Sequence, residues 1–202
     1  MSEAAVKLNL GAWAERSAVN GPGERFVLWV QGCPIRCPGC VNEEYQPFVG
    51  RYLIAVEEMA ERILAVPGIE GVTYSGGEPM AQAHGLALLS ERLRRAGLSI
   101  VCYTGYTIEA LREAGETWVC RLLGLVDVLI DGPFVREQAG SLLWRGSRNQ
   151  RVVFMTDRYR ALADEVEERP AEVEVAVGPG RLTVTGTWPE ELLAALAKQL
   201  RG

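Results

Sequence analysis

Apolar positions along this chain change their period repeatedly, and each change marks an element. Phe26–Gln31 is a short, continuous apolar run and reads as a buried strand. Val56, Met59, Ala60, Ile63 and Leu64 then recur at helical spacing, up to a stop at Pro67-Gly68. Residues 71–75 return to a strand pattern that ends at Gly76-Gly77. Leu86, Leu89 and Leu93 mark a second helix, halted by Gly97. A strand over 98–103 runs into Thr104-Gly105, and a helix starts near Thr107. Residues 125–130 read as a strand ending at Asp131-Gly132-Pro133, and 152–155 as one more.

Strands that alternate with helices build a parallel sheet with right-handed crossovers. Four or five such units are too few for an eight-stranded barrel, so the expected class is α/β, an open and curved partial barrel over residues 1–156. The tail over 157–202 has another character. A helix over 157–169 stops at Pro170, and 172–177 and 181–186 alternate as a hairpin across Gly178-Pro179-Gly180. Thr187 and Glu190 form a capping box for a last helix through about Leu200. This tail reads as a small β-hairpin plus helix appendage.

Composition narrows the classes. With 202 residues and 48% hydrophobic content the chain can bury a sizeable core. A net charge of −5 with no basic tract argues against a nucleic-acid partner. No basic start leads into an apolar run at the N-terminus, and no apolar stretch approaches membrane-spanning length, so neither a leader nor a membrane partner is expected. Five cysteines, an odd number, fit a reducing cytoplasm better than a disulfide framework.

The chemistry concentrates in the loops that follow strands. Cys33, Cys37 and Cys40 read C-x3-C-x2-C, with no fourth cysteine or histidine nearby. Three thiolates on a four-iron cluster leave one iron open to a substrate, whereas zinc modules pair their ligands in closed sets of four. Spacing favours the cluster and leaves zinc with a distant fourth ligand as the alternative. Gly76-Gly77-Glu78-Pro79 allows close backbone approach, stiffens at the proline, and suits a ligand bearing an ammonium group; an ordinary turn is the plainer alternative. In parallel α/β sheets the strand C-terminal ends share one edge, which would gather these loops with Thr104-Gly105 and Asp131 around one pocket. Cys102 and Cys120 read as core residues, His84 as a helix-end histidine, and Trp144 as the tryptophan facing a partner. Arg145 could pair with a carboxylate of cofactor or partner.

The ordered motifs resemble the radical S-adenosylmethionine superfamily. Within it they are similar to the activating enzymes of glycyl radical proteins, above all those of anaerobic (class III) ribonucleotide reductase. The resemblance is carried by Asn20-Gly21-Pro22-Gly23 with Arg25, and by Gly32-Cys33-Pro34 through Cys37-Pro38-Gly39-Cys40 with Asn42. It continues in Ser75-Gly76-Gly77, Tyr103-Thr104-Gly105-Tyr106, Asp127 to Phe134, and Trp144-Arg145-Gly146-Ser147 with Asn149-Gln150. It implies a partial barrel of the radical S-adenosylmethionine type, with Cys33, Cys37 and Cys40 on three irons of a 4Fe-4S cluster and S-adenosylmethionine on the fourth. Gly76, Gly77 and Glu78 would receive the cofactor's ammonium end, and Gly39, Cys40 and Val41 would lie against its adenosyl part. Thr104 and Asp131 join the cofactor-binding set. A β-branched residue at Gly77 is then expected to impair cofactor binding and spare the cluster.

The implied partners are a glycyl radical protein, such as the anaerobic reductase large subunit, and a flavodoxin or ferredoxin as electron donor. Two departures stand out. Gly39 occupies the place where many superfamily members carry an aromatic residue, and the chain continues about fifty residues past Asn149-Gln150. The second leaves open another peptide or small-molecule substrate, and a non-catalytic metal-binding module is the alternative from a different class.

Overall fold

Each element follows from where its apolar side chains can be buried. In the computed structural model, which describes residues 6–178 and 181–186, the chain opens with strands β1 (Lys7–Ser17), β2 (Arg25–Val30) and β3 (Tyr52–Ala55). Helix α1 (Val56–Leu64), strand β4 (Gly71–Gly76), helix α2 (Ala83–Arg95) and strand β5 (Ser99–Tyr103) follow. Helices α3 (Ile108–Ala114) and α4 (Thr117–Leu123) lead to strands β6 (Val128–Asp131), β7 (Ala139–Leu142), β8 (Arg145–Ser147) and β9 (Arg151–Phe154). Helix α5 (Ala163–Glu168) and strands β10 (Val173–Gly178) and β11 (Arg181–Gly186) complete the described chain.

Seven strands form one sheet in the order β3-β1-β2-β4-β5-β6-β9. Strands β2, β4, β5 and β6 run parallel, joined by helical crossovers, as the alternating pattern requires. The flanks correct the sequence reading. β1 and β3, which the sequence reading did not mark, pair antiparallel at one side. At the other side the strand over 151–154 is antiparallel to β6, because the 132–150 connection holds a hairpin and no crossover helix.

Helices α1, α2 and α4 cover one face. Met59 and Ile63, Leu86, Leu89 and Leu93, and Leu122 reach a core shared with Phe26, Leu28, Val72, Ile100 and Leu129. Each such side chain contributes roughly 1.5–3 kcal/mol of burial. On the opposite face Val101, Val128 and Ile130 pack under Leu143, Trp144, Tyr159 and Val166. The tail helix is therefore docked on the sheet through Tyr159 and Val166.

Trp144 is buried at a left-handed φ of 60° in the β7–β8 turn, not turned to a partner. Cys102 is buried as expected, but Cys120 is exposed, one position round α4 from buried Val119. His84 is part-exposed and stacks on Trp118. The hairpin of β10 and β11 forms as read, and the expected last helix lies outside the described residues.

The edge away from the cysteines is tied by Arg25. Its buried guanidinium donates to Thr73 Oγ1, Ser99 Oγ and the carbonyls of Pro22, Val72 and Ser99, at the starts of three parallel strands. Burial lowers its pKa, and Tyr159 acts the other way. The Tyr159 hydroxyl donates to Ser99 Oγ at 2.8 Å and to Glu70. Among the described residues no helix is long and apolar enough to cross a membrane.

Candidate active site at the sheet edge

The four parallel strands end at one edge, and short backbone bonds stitch their loops in sequence. Val30 pairs with Gly76 across β2 and β4. Gly77 N then donates to Val30 O at 2.7 Å and Glu78 N to Gly32 O at 2.9 Å. Thr104 N donates to Ile130 O at 2.9 Å, and Gly132 N to Tyr106 O at 3.0 Å. The anticipated shared edge is present.

Both glycines of the Gly-Gly-Glu-Pro segment are needed by the fold itself. Gly76 has a φ of 95°, which disfavours any side chain, and a Cβ there would stand 2.6 Å from Val30 N. A Cβ on Gly77 would lie 2.4 Å from the Gly32 carbonyl oxygen, where the cysteine loop begins. The close approach is to the protein's own backbone.

The cysteine loop turns through left-handed residues at Arg36 and Gly39, which a sharp reversal between Cys33 and Cys40 demands. Cys33, Cys37 and Cys40 are all part-exposed. Burial pushes the Cys40 thiol up and the nearby Cys37 and Cys33 add to this, while the Asn42 backbone and the Gln46 side chain pull it down. Among the described residues no group of three Cys, His, Asp or Glu side chains is placed to hold a single metal ion. A four-iron cluster gives each thiolate its own iron, and three soft sulfur donors on one turn fit that demand. The remaining cysteines are elsewhere, one in the helix-side core and one on the surface of α4. Val41 is exposed beside the loop.

Glu78 and Thr104 face each other. The buried Glu78 carboxylate accepts from Thr104 Oγ1 at 2.9 Å, Gly105 N at 2.8 Å and Met80 N at 2.8 Å. Burial pushes its pKa up to about 7, against the pull of the three donors. Gly105 also abuts Ile35 of the cysteine loop. Tyr106, one residue on, has its phenol pushed up by burial, then by Glu78 and Cys33.

Asp131 is wholly buried at the end of β6. Its carboxylate accepts from Ile108 N at 2.8 Å, holding the start of α3, and pairs with Arg151 at 2.5 Å. Arg151 is also bonded to Glu109 at 2.7 Å. The Asn149-Gln150 motif folds back on the same loop: Gln150 Nε2 donates to Gly132 O at 3.0 Å and Asn149 Nδ2 to Pro133 O at 2.7 Å. Arg145 points away, to Glu167 at 3.1 Å. Asp127 lies at the opposite edge, accepting from Ile100 N at 2.9 Å and pairing with Arg94 at 2.5 Å. Sequence reasoning had not singled out Gln46, Tyr106 or Arg151 by themselves. Their contacts join residues distant in the chain, and no local spacing marks them. A cavity of about 480 Å³ lies between α1 and α2, lined by Glu57, Leu88 and Arg92, away from this chemistry.

A family model described as a 4Fe-4S single cluster domain matches residues 19–153. The chain is 37% identical over 142 residues to the anaerobic ribonucleoside-triphosphate reductase-activating protein of Vibrio cholerae, spanning 65% of this chain and 88% of the relative. It is 36% identical to the protein of that name from Escherichia coli K12, over 66% of this chain and 90% of the other. Its counterpart from Enterobacteria phage T4 is 34% identical, over 69% of this chain and 89% of the relative. Among solved structures, QueE from Escherichia coli matches 50% of this chain and 53% of its own, with 19% identity and a TM-score of 0.39, too slight a likeness to carry weight.

Proposed function

This chain belongs to the family of anaerobic ribonucleoside-triphosphate reductase-activating proteins, and from that premise we propose that it is a radical S-adenosylmethionine enzyme that installs a glycyl radical on a partner reductase. Cys33, Cys37 and Cys40 would hold a 4Fe-4S cluster, which when reduced would supply the one electron for reductive cleavage of S-adenosylmethionine to methionine and the 5′-deoxyadenosyl group that takes a hydrogen atom from a partner glycine.

The chain's own residues hold and shape that site. Cys33, Cys37 and Cys40 supply three thiolates and leave one iron for the cofactor's amine and carboxylate. The backbone of Gly76 and Gly77 receives the ammonium end, and that of Gly39, Cys40 and Val41 faces the adenosyl part. Glu78 and Thr104 serve this cofactor site by bonding to each other, which keeps the 76–79 loop against the 104–106 loop. Asp131 keeps α3 and Arg151 at the same edge.

The observation that carries this reading is the cysteine loop bonded directly to the Gly-Gly segment, Glu78 N to Gly32 O. Support for an open partial barrel comes from helices covering one face of the parallel strands. Residues 1–156 are then the catalytic unit and 157–202 an appendage. A flavodoxin or ferredoxin is the electron donor in this reading, and the cytoplasm its compartment.

Anaerobic reconstitution should give four irons and four sulfides per chain by the stoichiometry of such a cluster. Addition of reductant and S-adenosylmethionine should then release 5′-deoxyadenosine. Fully loaded protein that never cleaves the cofactor would overturn the proposal. A second reading keeps the chemistry and changes the target to another peptide or a small molecule, because residues beyond 153 lie outside the matched family model. A glycyl-radical signal on the co-expressed reductase separates the two.

A further inference from the structure

Within the cysteine loop, Cys37-Pro38-Gly39-Cys40 closes on itself. Cys40 N donates to Cys37 O at 3.3 Å, with Pro38 and Gly39 as the two turn residues between them. Gly39 has a φ of 74°. A proline followed by a residue at positive φ is the signature of a type II β-turn, whose first and fourth Cα atoms lie within about 7 Å of each other. A disulfide joins residues whose Cα atoms are about 4.4–6.8 Å apart. Both cysteines are part-exposed, so a small reagent reaches them. Cys33 stands differently. Its N–H is tied to Gln46 O at 2.9 Å and that of Gly32 to Tyr45 O at 2.8 Å, which fixes it at the root of the loop. Arg36, at a φ of 53°, then turns the chain away before Cys37.

We propose that, before a cluster is assembled, Cys37 and Cys40 form a reversible disulfide across the Pro38-Gly39 turn by exchange with a small-molecule disulfide, and that this bond blocks iron loading until a dithiol reduces it. The disulfide itself needs no metal, whereas the blocked loading rests on the reading that these cysteines hold a cluster. One thiolate of the pair attacks a sulfur of the incoming disulfide, forms a mixed disulfide and expels one small thiolate. The other thiolate of the pair attacks the protein sulfur of that adduct, closes the Cys37–Cys40 bond and expels the second. Two protein thiols lose two electrons, one small disulfide is reduced to two thiols, and both protons end on the departing sulfurs. The turn favours the closing step, because it already holds the two residues side by side. Cys33 is then the one loop thiol left, too few ligands for a cluster that takes three from this loop. Paired sulfurs are also kept off the path to irreversible oxidation. Such a bond is transient and redox-sensing, the kind that a reducing cytoplasm tolerates.

The experiment treats the cluster-free full chain with oxidised glutathione under anaerobic conditions, then alkylates the free thiols in acid-quenched samples. Cys120 is exposed on α4, so the chain carries Cys120→Ala to keep disulfides between molecules out. Trypsin cuts after Arg25, Arg36 and Arg51, leaving Cys33 in the peptide 26–36 and Cys37 with Cys40 in 37–51. Mass spectrometry should find 37–51 unalkylated and lighter by two hydrogen atoms than its dithiol form, and 26–36 alkylated. The added variant Cys33→Ala should give the same 37–51 product, and Cys40→Ala only a glutathione adduct. Oxidised protein should take up no iron from ferrous iron and sulfide, and dithiothreitol should restore the uptake of protein that was never oxidised. Three thiols that stay free or stop at glutathione adducts would overturn the inference. So would a disulfide joining 26–36 to 37–51, or oxidised protein that loads iron as the reduced protein does. Reduced, never-oxidised protein that assembles no cluster would instead overturn the functional reading, a result separate from the peptide masses.

Discussion

At the scale of single residues, the three loop cysteines and the two glycines act through different physics. In the proposed reading each cysteine supplies a thiolate that serine cannot replace as a soft ligand, so Cys33→Ser, Cys37→Ser and Cys40→Ser should each abolish cluster assembly, read by iron and sulfide content. Cys102→Ala and Cys120→Ala should leave that content at the wild-type level, since one is core and the other surface. Gly77 acts by leaving space. Gly77→Val was expected to weaken cofactor binding alone, but its side chain would press on the Gly32 carbonyl at the root of the cysteine loop. Overpacking of this kind costs roughly 1–3 kcal/mol. Denaturant unfolding should show that loss, and cluster loading should fall with it. The cysteines and the glycine pair were legible because their meaning is local, a spacing within eight residues and a doubled glycine at a strand end. Cys120 was misread for want of the helical period: Val119, Leu122 and Leu123 mark the buried side of α4, and the cysteine falls outside it.

At the scale of elements, buried carboxylates join the ends of neighbouring strands. Glu78 ties the loop after β4 to the loop after β5, and Asp131 ties β6 to the start of α3. The pKa of Glu78 rises from an ordinary 4.5 to about 7, so the folded state holds a proton that the unfolded chain has released over that interval. Stability contributed by this group is therefore complete below about 4.5 and is lost as pH rises through about 7. The difference is about 3 kcal/mol at roughly 1.4 kcal/mol per unit of pKa. Urea unfolding of wild type and Glu78→Gln at pH 5 and pH 8 should show a stability decline in the wild type that the variant lacks; parallel profiles would count against the shift. None of these pairings was legible in the sequence, because Glu78 meets Gly105 and Asp131 meets Arg151 only once separate strands are side by side. The antiparallel flanks were hidden for a related reason. Strand direction depends on whether the connection is a helix or a hairpin, and the 132–150 segment contains the short β7–β8 pair, which has no strong alternation.

At the scale of the whole molecule, the sheet has one edge tied by Arg25 and an opposite edge where the cysteine loop meets the Gly-Gly segment. The parallel middle was readable because strands and helices alternate. The covering of its second face was not, since it takes residues from both sides of the 157 boundary, Trp144 with Tyr159 and Val166. The hairpin of β10 and β11 is attached more lightly. Asn20 Nδ2 donates to Thr185 Oγ1 at 2.7 Å, and Ala18 N to Glu174 at 3.3 Å. A chain ended after Pro170 keeps α5, the Arg145–Glu167 pair and the bond from Leu143 N to Arg169 O. Among the described residues it gives up these two bonds, the bond from Ala171 N to Ser141 Oγ and the surface pair of Arg169 with Glu172, at about 1 kcal/mol or less for each, and it should retain cluster content and cofactor cleavage. If the appendage docks the partner, the glycyl-radical yield on the reductase should fall while 5′-deoxyadenosine release without partner stays constant. Equal yields would exclude that role.

The contact of Gly77 with Gly32 has a mechanical consequence. Two loops with no clearance between them cannot vibrate independently, so they act as a single jaw. A molecule gripped at the glycine side is thereby held in fixed register with the sulfur side, and any loosening of one face is transmitted at once to the other.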